Sequence, residues 1–357
     1  MTTRLWIVLA LVLAACTRPA EQRALAEADI GHATAAGLTV DVDDGLAAIR
    51  PIEPGRLALW ASAPVIDLTV TVDAAAAGPW RITVENVLPD AALTRATVPL
   101  GAELPRPRPT VMIHEVTLAA GTHALHLAPP DPSPGPLRFV AMADIQTALP
   151  TVDEVFREIM TTAPRFVVCM GDITDRSLVE EYDLMARQLE TLPVPFYTTL
   201  GNHELWADPK RYFERYGRAS FQFGFRGIAF TFVDSGDAGL DPIVEDQLDG
   251  WLDAAVDRTH VFLTHFPPID PVGIRYGSFR SRYDGHRLLA KLAEARVDLT
   301  LYGHVHSYLS FENGGIPAFI SGGGGAMPER WDGIGRHFLV VDLGPTGKPT
   351  VGLHRVD

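Results

Sequence analysis

Phe166-Val167-Val168-Cys169-Met170-Gly171-Asp172-Ile173-Thr174-Asp175 decides the fold. Five consecutive apolar residues, two of them β-branched, have the length and bulk of a strand buried on both faces. The run stops at a glycine, which frees the backbone to turn sharply, and a carboxylate follows at once. The same grammar recurs outward in both directions. Leu137–Ala143 ends in Asp144-Ile145-Gln146, Phe196–Leu200 ends in Gly201-Asn202-His203-Glu204, Val261–Thr264 ends in His265, and Val297–Leu301 is followed by Gly303-His304-Val305-His306. Asp172 follows Asp144 by 28 residues and Asn202 follows Asp172 by 30, each about one βαβ unit. Parallel strands spaced in this way deliver their terminal residues to one rim, where ligand sites of α/β sheets collect.

Helical patterns fill the intervals. Thr151-Val152-Asp153-Glu154 reads as a capping box ahead of Val152, Val155, Phe156 and Ile159 on one face. Ser177-Leu178-Val179-Glu180 reads as another, ahead of Tyr182, Met185 and Leu189, and Asp241-Pro242 opens a third helix. A further apolar strand is expected at Ile228–Val233. Residues 137–357 are therefore expected to form an α/β domain with sheets buried between helices.

Upstream the pattern changes to period two. Ile66, Leu68, Val70 and Val72 alternate with small or polar residues, as do Trp80, Ile82 and Val84, and Met112, His114, Val116 and Leu118. Residues 38–128 are expected to form a small antiparallel β-sandwich. Five prolines within residues 129–136 cannot continue a ladder and mark a linker. Residues 16–37, alanine-rich and polar, are expected to be a partly helical tether.

Residues 1–15 read as a targeting segment: Arg4, then an eleven-residue apolar run from Leu5 to Ala15, too short for a bilayer core of roughly 30 Å. Its end, Leu13-Ala14-Ala15-Cys16, resembles a bacterial lipobox. That resemblance implies cleavage before Cys16, acylation of Cys16, and a chain exported and lipid-anchored. Thr17 after the cysteine leans towards the periplasmic side of the outer membrane or the cell surface. Cys169, the other cysteine, is expected to be a small buried hydrophobe, so an acylated Cys16 leaves no intramolecular disulfide.

The strand-end residues are carboxylates, imidazoles and amides without a thiolate, a donor set suited to Mn, Fe or Zn rather than Cu(I). Their order, D-x-Q, G-D-x-x-D, G-N-H-E, H and G-H-x-H, resembles the calcineurin-like metallophosphoesterase superfamily over roughly residues 137–357. The fold that this implies is a sandwich of two mixed β-sheets flanked by helices, here preceded by the small all-β domain. By motif, Asp144, Gln146, Asp172 and His306 would hold one ion; Asp172, Asn202, His265 and His304 would hold the other, with Asp172 shared. A hydroxide between the ions would attack phosphorus, His203 would protonate the leaving oxygen or stabilise the transition state, Asp175 would orient His203, and Arg176 would meet the phosphate. Gln146 departs from the usual histidine of the first motif. A neutral amide oxygen is a harder, weaker ligand than imidazole, and the bias it introduces is towards Mn.

The formal net charge of −14 excludes a general nucleic-acid binder, which needs a basic face, and leaves nucleotides only as possible substrates. Small phosphorylated substrates are compatible with it, because bound divalent ions dominate the local field. The loop Phe266–Arg282, with Arg275, Arg280 and Arg282, is a candidate substrate lip, and Ser321–Gly325 a candidate for close approach to the site. A second reading is a surface-tethered binding or scaffolding lipoprotein whose phosphoesterase domain is inactive.

Overall fold

The computed structural model describes residues 19–95, 98–273, 277–331, 333–344 and 348–357. Cys16 and Arg275 lie outside these residues.

The α/β half is built on two mixed sheets. In the first, the strands Phe196–Thr198, Val167–Cys169 and Leu137–Met142 run parallel in that spatial order, and the antiparallel strands His337–Leu343 and Thr350–Arg355 complete it. In the second, Ile228–Val233, Thr259–Thr264, Leu299–Tyr302 and Ile316–Ser321 run parallel, with the antiparallel strands Phe221–Phe225 and Tyr308–Asn313 at the two edges. The sheets face each other across an aromatic core: Phe139 and Phe166 pack edge-on to Phe230 at 5.3 and 5.5 Å between ring centres. Such edge-to-face pairs add stability beyond the apolar area they bury.

Helices close the outer faces. Val152–Thr161 and Val179–Leu189 bury Val155, Phe156, Ile159, Tyr182 and Met185 against the first sheet. Pro242–Ala254 and Arg282–Glu294 bury Val244, Leu248, Leu288 and Leu292 against the second. Two of the expected helix starts differ in their chemistry. Thr151 is the last residue of a 3-10 turn over residues 146–151, and its hydroxyl donates back to the Ala148 carbonyl instead of capping the helix. At the next start the carboxylate of Glu181, not Glu180, accepts from the N–H groups of Leu178 and Arg176, while the Ser177 hydroxyl pairs with Tyr182 Oη. Ser177 is in the left-handed region at φ 58°, so its side chain is turned away from the helix end. Asp241 does cap its helix, accepting from Ile243 N–H.

The upstream half is a sandwich of a six-stranded and a five-stranded sheet. The alternation holds: Ile66, Leu68, Val70, Val72, Trp80, Ile82 and Val84 are buried, and His114 is buried beside them with its Nδ1 on the Leu100 carbonyl. One pair departs from the expected antiparallel order, because Arg56–Ala61 runs parallel to Gly78–Glu85. The expectation of a tether over residues 16–37 is corrected from Pro19 onward. Pro19–Glu27 is a helix whose Arg23 is buried against Asp234 and Asp237, and His32–Ala35 adds an edge strand to the sandwich. The proline-rich stretch is also packed, since Pro132 accepts from Arg226 N–H and Asp131 lies 3.4 Å from the Arg226 guanidinium.

The sandwich sits on the edge of the first α/β sheet. The Asn86 carboxamide donates to the Phe196 carbonyl and accepts from Phe196 N–H, as a neighbouring strand would. Ser62 donates to the Tyr216 carbonyl and Arg50 to the Arg215 carbonyl alongside. No helix among the described residues is long and apolar enough to cross a membrane.

Candidate metal centre

Two of the turns that end the first α/β sheet need an unusual backbone. Asp144, Gln146 and Asp172 have φ of 63°, 44° and 56°, and His304 at the end of the second sheet has φ 68°. Left-handed backbone is uncommon outside glycine and costs energy, so four such residues around one point mark a place where the fold holds strain for position. The surrounding glycines allow close approach. A Cβ at Gly201 would lie 2.2 Å from Asp172 Oδ1, and one at Gly324 would lie 2.5 Å from the Ala143 carbonyl. The glycine run 322–325 is thus a packing surface for the Asp144 turn, with Gly324 N–H donating to Ala143 and Ala326 N–H to Asp144.

All seven expected ligands converge, linked by a continuous chain of short contacts. Asp144 Oδ1 lies 3.3 Å from His306 Nε2, and His306 Nε2 lies 3.2 Å from Gln146 Nε2. Gln146 Nε2 donates to Asp172 Oδ2 at 2.7 Å, and that oxygen lies 3.3 Å from His265 Nε2. Asn202 Oδ1 closes the chain at 3.1 Å from His265 Nε2 and 3.0 Å from His304 Nδ1. Asp144, Asp172, Asn202, His265, His304 and His306 thus keep the positions their spacing implied. Gln146 turns its amide nitrogen, not its oxygen, towards Asp172; a half-turn of the amide presents the oxygen in the same place.

Backbone carbonyls fix the imidazoles. Nδ1–H of His265 donates to Met170 and Nδ1–H of His306 to Met327. A carbonyl can only accept, so Nδ1 carries a proton and Nε2 faces the cluster, the orientation that metal-ligating histidines use. His203 is held in the same way by the Asp175 carbonyl at 2.6 Å, with its Nε2 3.9 Å from Asp172 Oδ2. The contact expected from the Asp175 carboxylate is longer, 3.7 Å, so Asp175 meets His203 mainly through its backbone. Arg176 is exposed and stands 3.4 Å from the Asp175 carboxylate. Arg280, near the end of the loop after His265, and Arg282, the first residue of the next helix, are both exposed.

The fit to metal ions rests on charge and on an orphaned atom. Asp144 Oδ1 is buried and accepts no hydrogen bond among the described residues. Burial opposes charge on Asp172, yet His265 and His203 hold its carboxyl well below the usual carboxylate range. Burial likewise favours neutral His265, but the Asp172 carboxylate prevails and lifts it to about 9. Two buried carboxylates surrounded by imidazoles are short of positive charge, and without ions a proton on His265 supplies it. Divalent cations supply it better, and their binding releases that proton. Asp144, Asp172 and His265 alone place ligand atoms within 4.8 Å of one another.

Two contributors carried no role in the sequence reading. Glu204, fully buried, accepts from Gly201 N–H, Asp172 N–H, and both N–H and Oγ1–H of Thr174, and so ties two ligand turns together. Burial, and then Asp172 beside it, push its carboxyl up. Trp206 stacks on His203 with ring centres 4.4 Å apart. The sequence signal for Glu204 was its place in Gly201-Asn202-His203-Glu204; nothing local marked Trp206.

Comparison with known proteins agrees with this geometry. Residues 137–308 match the family model described as calcineurin-like phosphoesterase. A probable glycerophosphodiester phosphodiesterase of Arcobacter nitrofigilis is 29% identical over 156 residues, 40% of this chain and 57% of that protein, so the match spans little more than half of that relative. A probable cyclic nucleotide phosphodiesterase of Synechococcus sp. is 25% identical over 232 residues, 60% of this chain and 89% of that protein. Among solved structures, the yellow lupin purple acid phosphatase PPD1 superposes with a TM-score of 0.55 at 14% identity, covering 87% of this chain and 72% of that one, which shows likeness of fold.

Proposed function

We propose, on the premise that residues 137–308 are a calcineurin-like phosphoesterase domain, that this chain is a metal-dependent hydrolase of phosphomono- or diesters. The observation that carries it is the unbroken chain of contacts joining Asp144, Gln146, Asp172, Asn202, His265, His304 and His306 around buried, undercompensated carboxylates. Two relatives named as probable phosphodiesterases support the reaction class.

Asp144, Gln146 and His306 would hold one ion, Asn202, His265 and His304 a second, and Asp172, which touches both groups, would serve each. Ions bound there lower the pKa of water and neutralise charge on the phosphate oxygens. The hard amide oxygen of Gln146 favours manganese at the first position. The chain itself does the rest. The Asp175 carbonyl fixes the ring of His203 and Asp172 Oδ1 accepts from its backbone N–H, so that Nε2 faces the cluster, in reach of a leaving oxygen to which the doubly protonated ring gives a proton. Glu204 keeps two ligand turns at a set separation. Arg176, exposed beside Asp175, is the cation to meet phosphate from solvent.

The test is direct. Purified protein supplied with Mn²⁺ should hydrolyse p-nitrophenyl phosphate or its bis-ester, lose the activity on chelation and regain it with metal. Asp172→Asn should lose both metal and turnover. His203→Asn should lower hydrolysis of an ester with an alkyl leaving group by about two to four orders of magnitude, the range for general acid catalysis, with metal content unchanged. Metal-replete protein inert towards a broad phosphate panel would favour a scaffolding lipoprotein instead. We also propose that the chain is exported and anchored through acylated Cys16.

A further inference from the structure

A cleft of about 700 Å³ opens beside the metal centre against Gln146 and His306, and its outer wall is the segment 327–331. That segment is fixed to the site. The Met327 carbonyl holds His306, Glu329 N–H donates to the His306 carbonyl, and Ala326 N–H donates to Asp144. Yet the Met327 side chain is 70% exposed and Trp331 is 52% exposed. A firmly held wall that leaves a thioether and an indole in water is poor folding chemistry, because burying either would be favourable. It suits a surface that an apolar ligand group is to cover.

His203 faces Asp172, its Nε2 3.9 Å from Oδ2, and is not among the residues that line the cleft. It contacts Asp172, Asp175 and Trp206, and none of His203, Asp175 and Trp206 lines the cleft. A group that gives its proton to the leaving oxygen must stand beside the leaving group. The cleft on the Gln146 side therefore has no leaving group to hold, and what it can hold is a second substituent on the same phosphorus. A phosphomonoester has none.

Resting on the phosphoesterase reading above, we infer that the substrate is a phosphodiester whose retained arm is aromatic or apolar and lies on Met327 and Trp331. The reaction balances as hydrolysis: water adds its oxygen to phosphorus, the bond to the leaving oxygen breaks, His203 supplies the proton to that oxygen and is reprotonated by the proton that water gives up, and the retained arm leaves as a phosphomonoester.

Three esters with one leaving group test this: p-nitrophenyl phosphate, methyl p-nitrophenyl phosphate and phenyl p-nitrophenyl phosphate. In Mn²⁺-replete protein, kcat/KM should be at least tenfold higher for the phenyl than for the methyl diester, and lowest for the monoester. Trp331→Ala and Met327→Ala should each lower the phenyl-to-methyl ratio severalfold, while Trp331→Phe retains most of it. Calorimetric titration with phenylphosphonate and methylphosphonate, which are not hydrolysed, should show the same preference and the same loss. A phenyl-to-methyl ratio near one, a ratio indifferent to Trp331, or a faster monoester would overturn the inference and leave the phosphoesterase reading standing. No turnover of any of the three would sink that reading, and the inference with it.

Discussion

At the scale of single residues, the centre is a set of side chains whose orientation is decided by backbone groups. His265, His306 and His203 each give Nδ1–H to a carbonyl, and it is this second contact that aims Nε2. His203 is held on one more side, by the face of Trp206, which is itself 61% exposed. Trp206 touches no ligand and acts through the ring it stacks on, as a positioning residue. Trp206→Ala should therefore reduce kcat by roughly ten- to a hundredfold on esters with alkyl leaving groups, which need a proton from His203. It should change p-nitrophenyl esters little, since their leaving oxygen departs unprotonated, and Trp206→Phe should restore most of the loss. Equal loss on both ester types, or loss of bound metal, would place Trp206 in the framework instead. The convergence of the candidate ligands was legible from the sequence because Asp144, Asp172 and His265 each follow an apolar run, and Asp144, Asp172 and Asn202 lie about one βαβ unit apart. Trp206 was not, because a stack between residues three apart in a turn has no periodic signature. The Asp175 carbonyl was equally hidden, since a sequence displays side chains and this contact belongs to the backbone.

At the scale of elements, the docking of the helix Pro19–Glu27 is the clearest departure from the expected tether. Its nine residues show little apolar periodicity, and what holds it is polar and long-range. Arg23 reaches Asp234 and Asp237, and Glu27 accepts from Ser220 N–H. Such partners lie about two hundred residues away and leave no local mark, whereas the helix Val152–Thr161 was legible from its own apolar stripe. Glu27 is costly. Burial first, and then Asp234, raise its carboxyl from an ordinary 4.5 to about 8. The native state then binds a proton that the unfolded chain releases above about 4.5, so this group's contribution is full below about 4.5 and is lost as pH rises to about 8. At about 1.4 kcal/mol per unit of difference, the swing is several kcal/mol. Glu27→Gln should flatten the fall in melting temperature between roughly pH 5 and pH 8. An unchanged slope in the variant would show that Glu27 is charged throughout.

At the scale of the whole molecule, the two halves meet through the sandwich and through the N-terminal helix. Their alternation patterns were legible separately, period two upstream and buried parallel runs downstream, but their mode of contact was not, because it rests on side chain to backbone bonds such as those of Ser62 and Arg50. This bears on anchoring. Pro19 begins a docked helix only three residues after Cys16, so an acylated Cys16 would hold the catalytic half near the lipid surface without a long leash. Cys16→Ser should shift the protein from the membrane fraction to the soluble fraction with turnover per molecule retained; a variant that still sediments with membranes would remove the anchor. Asn86 carries one more consequence. By occupying both backbone groups of Phe196 it leaves the outermost strand of the first α/β sheet with no free template there for a foreign chain, so the sandwich doubles as a guard against edge-to-edge aggregation.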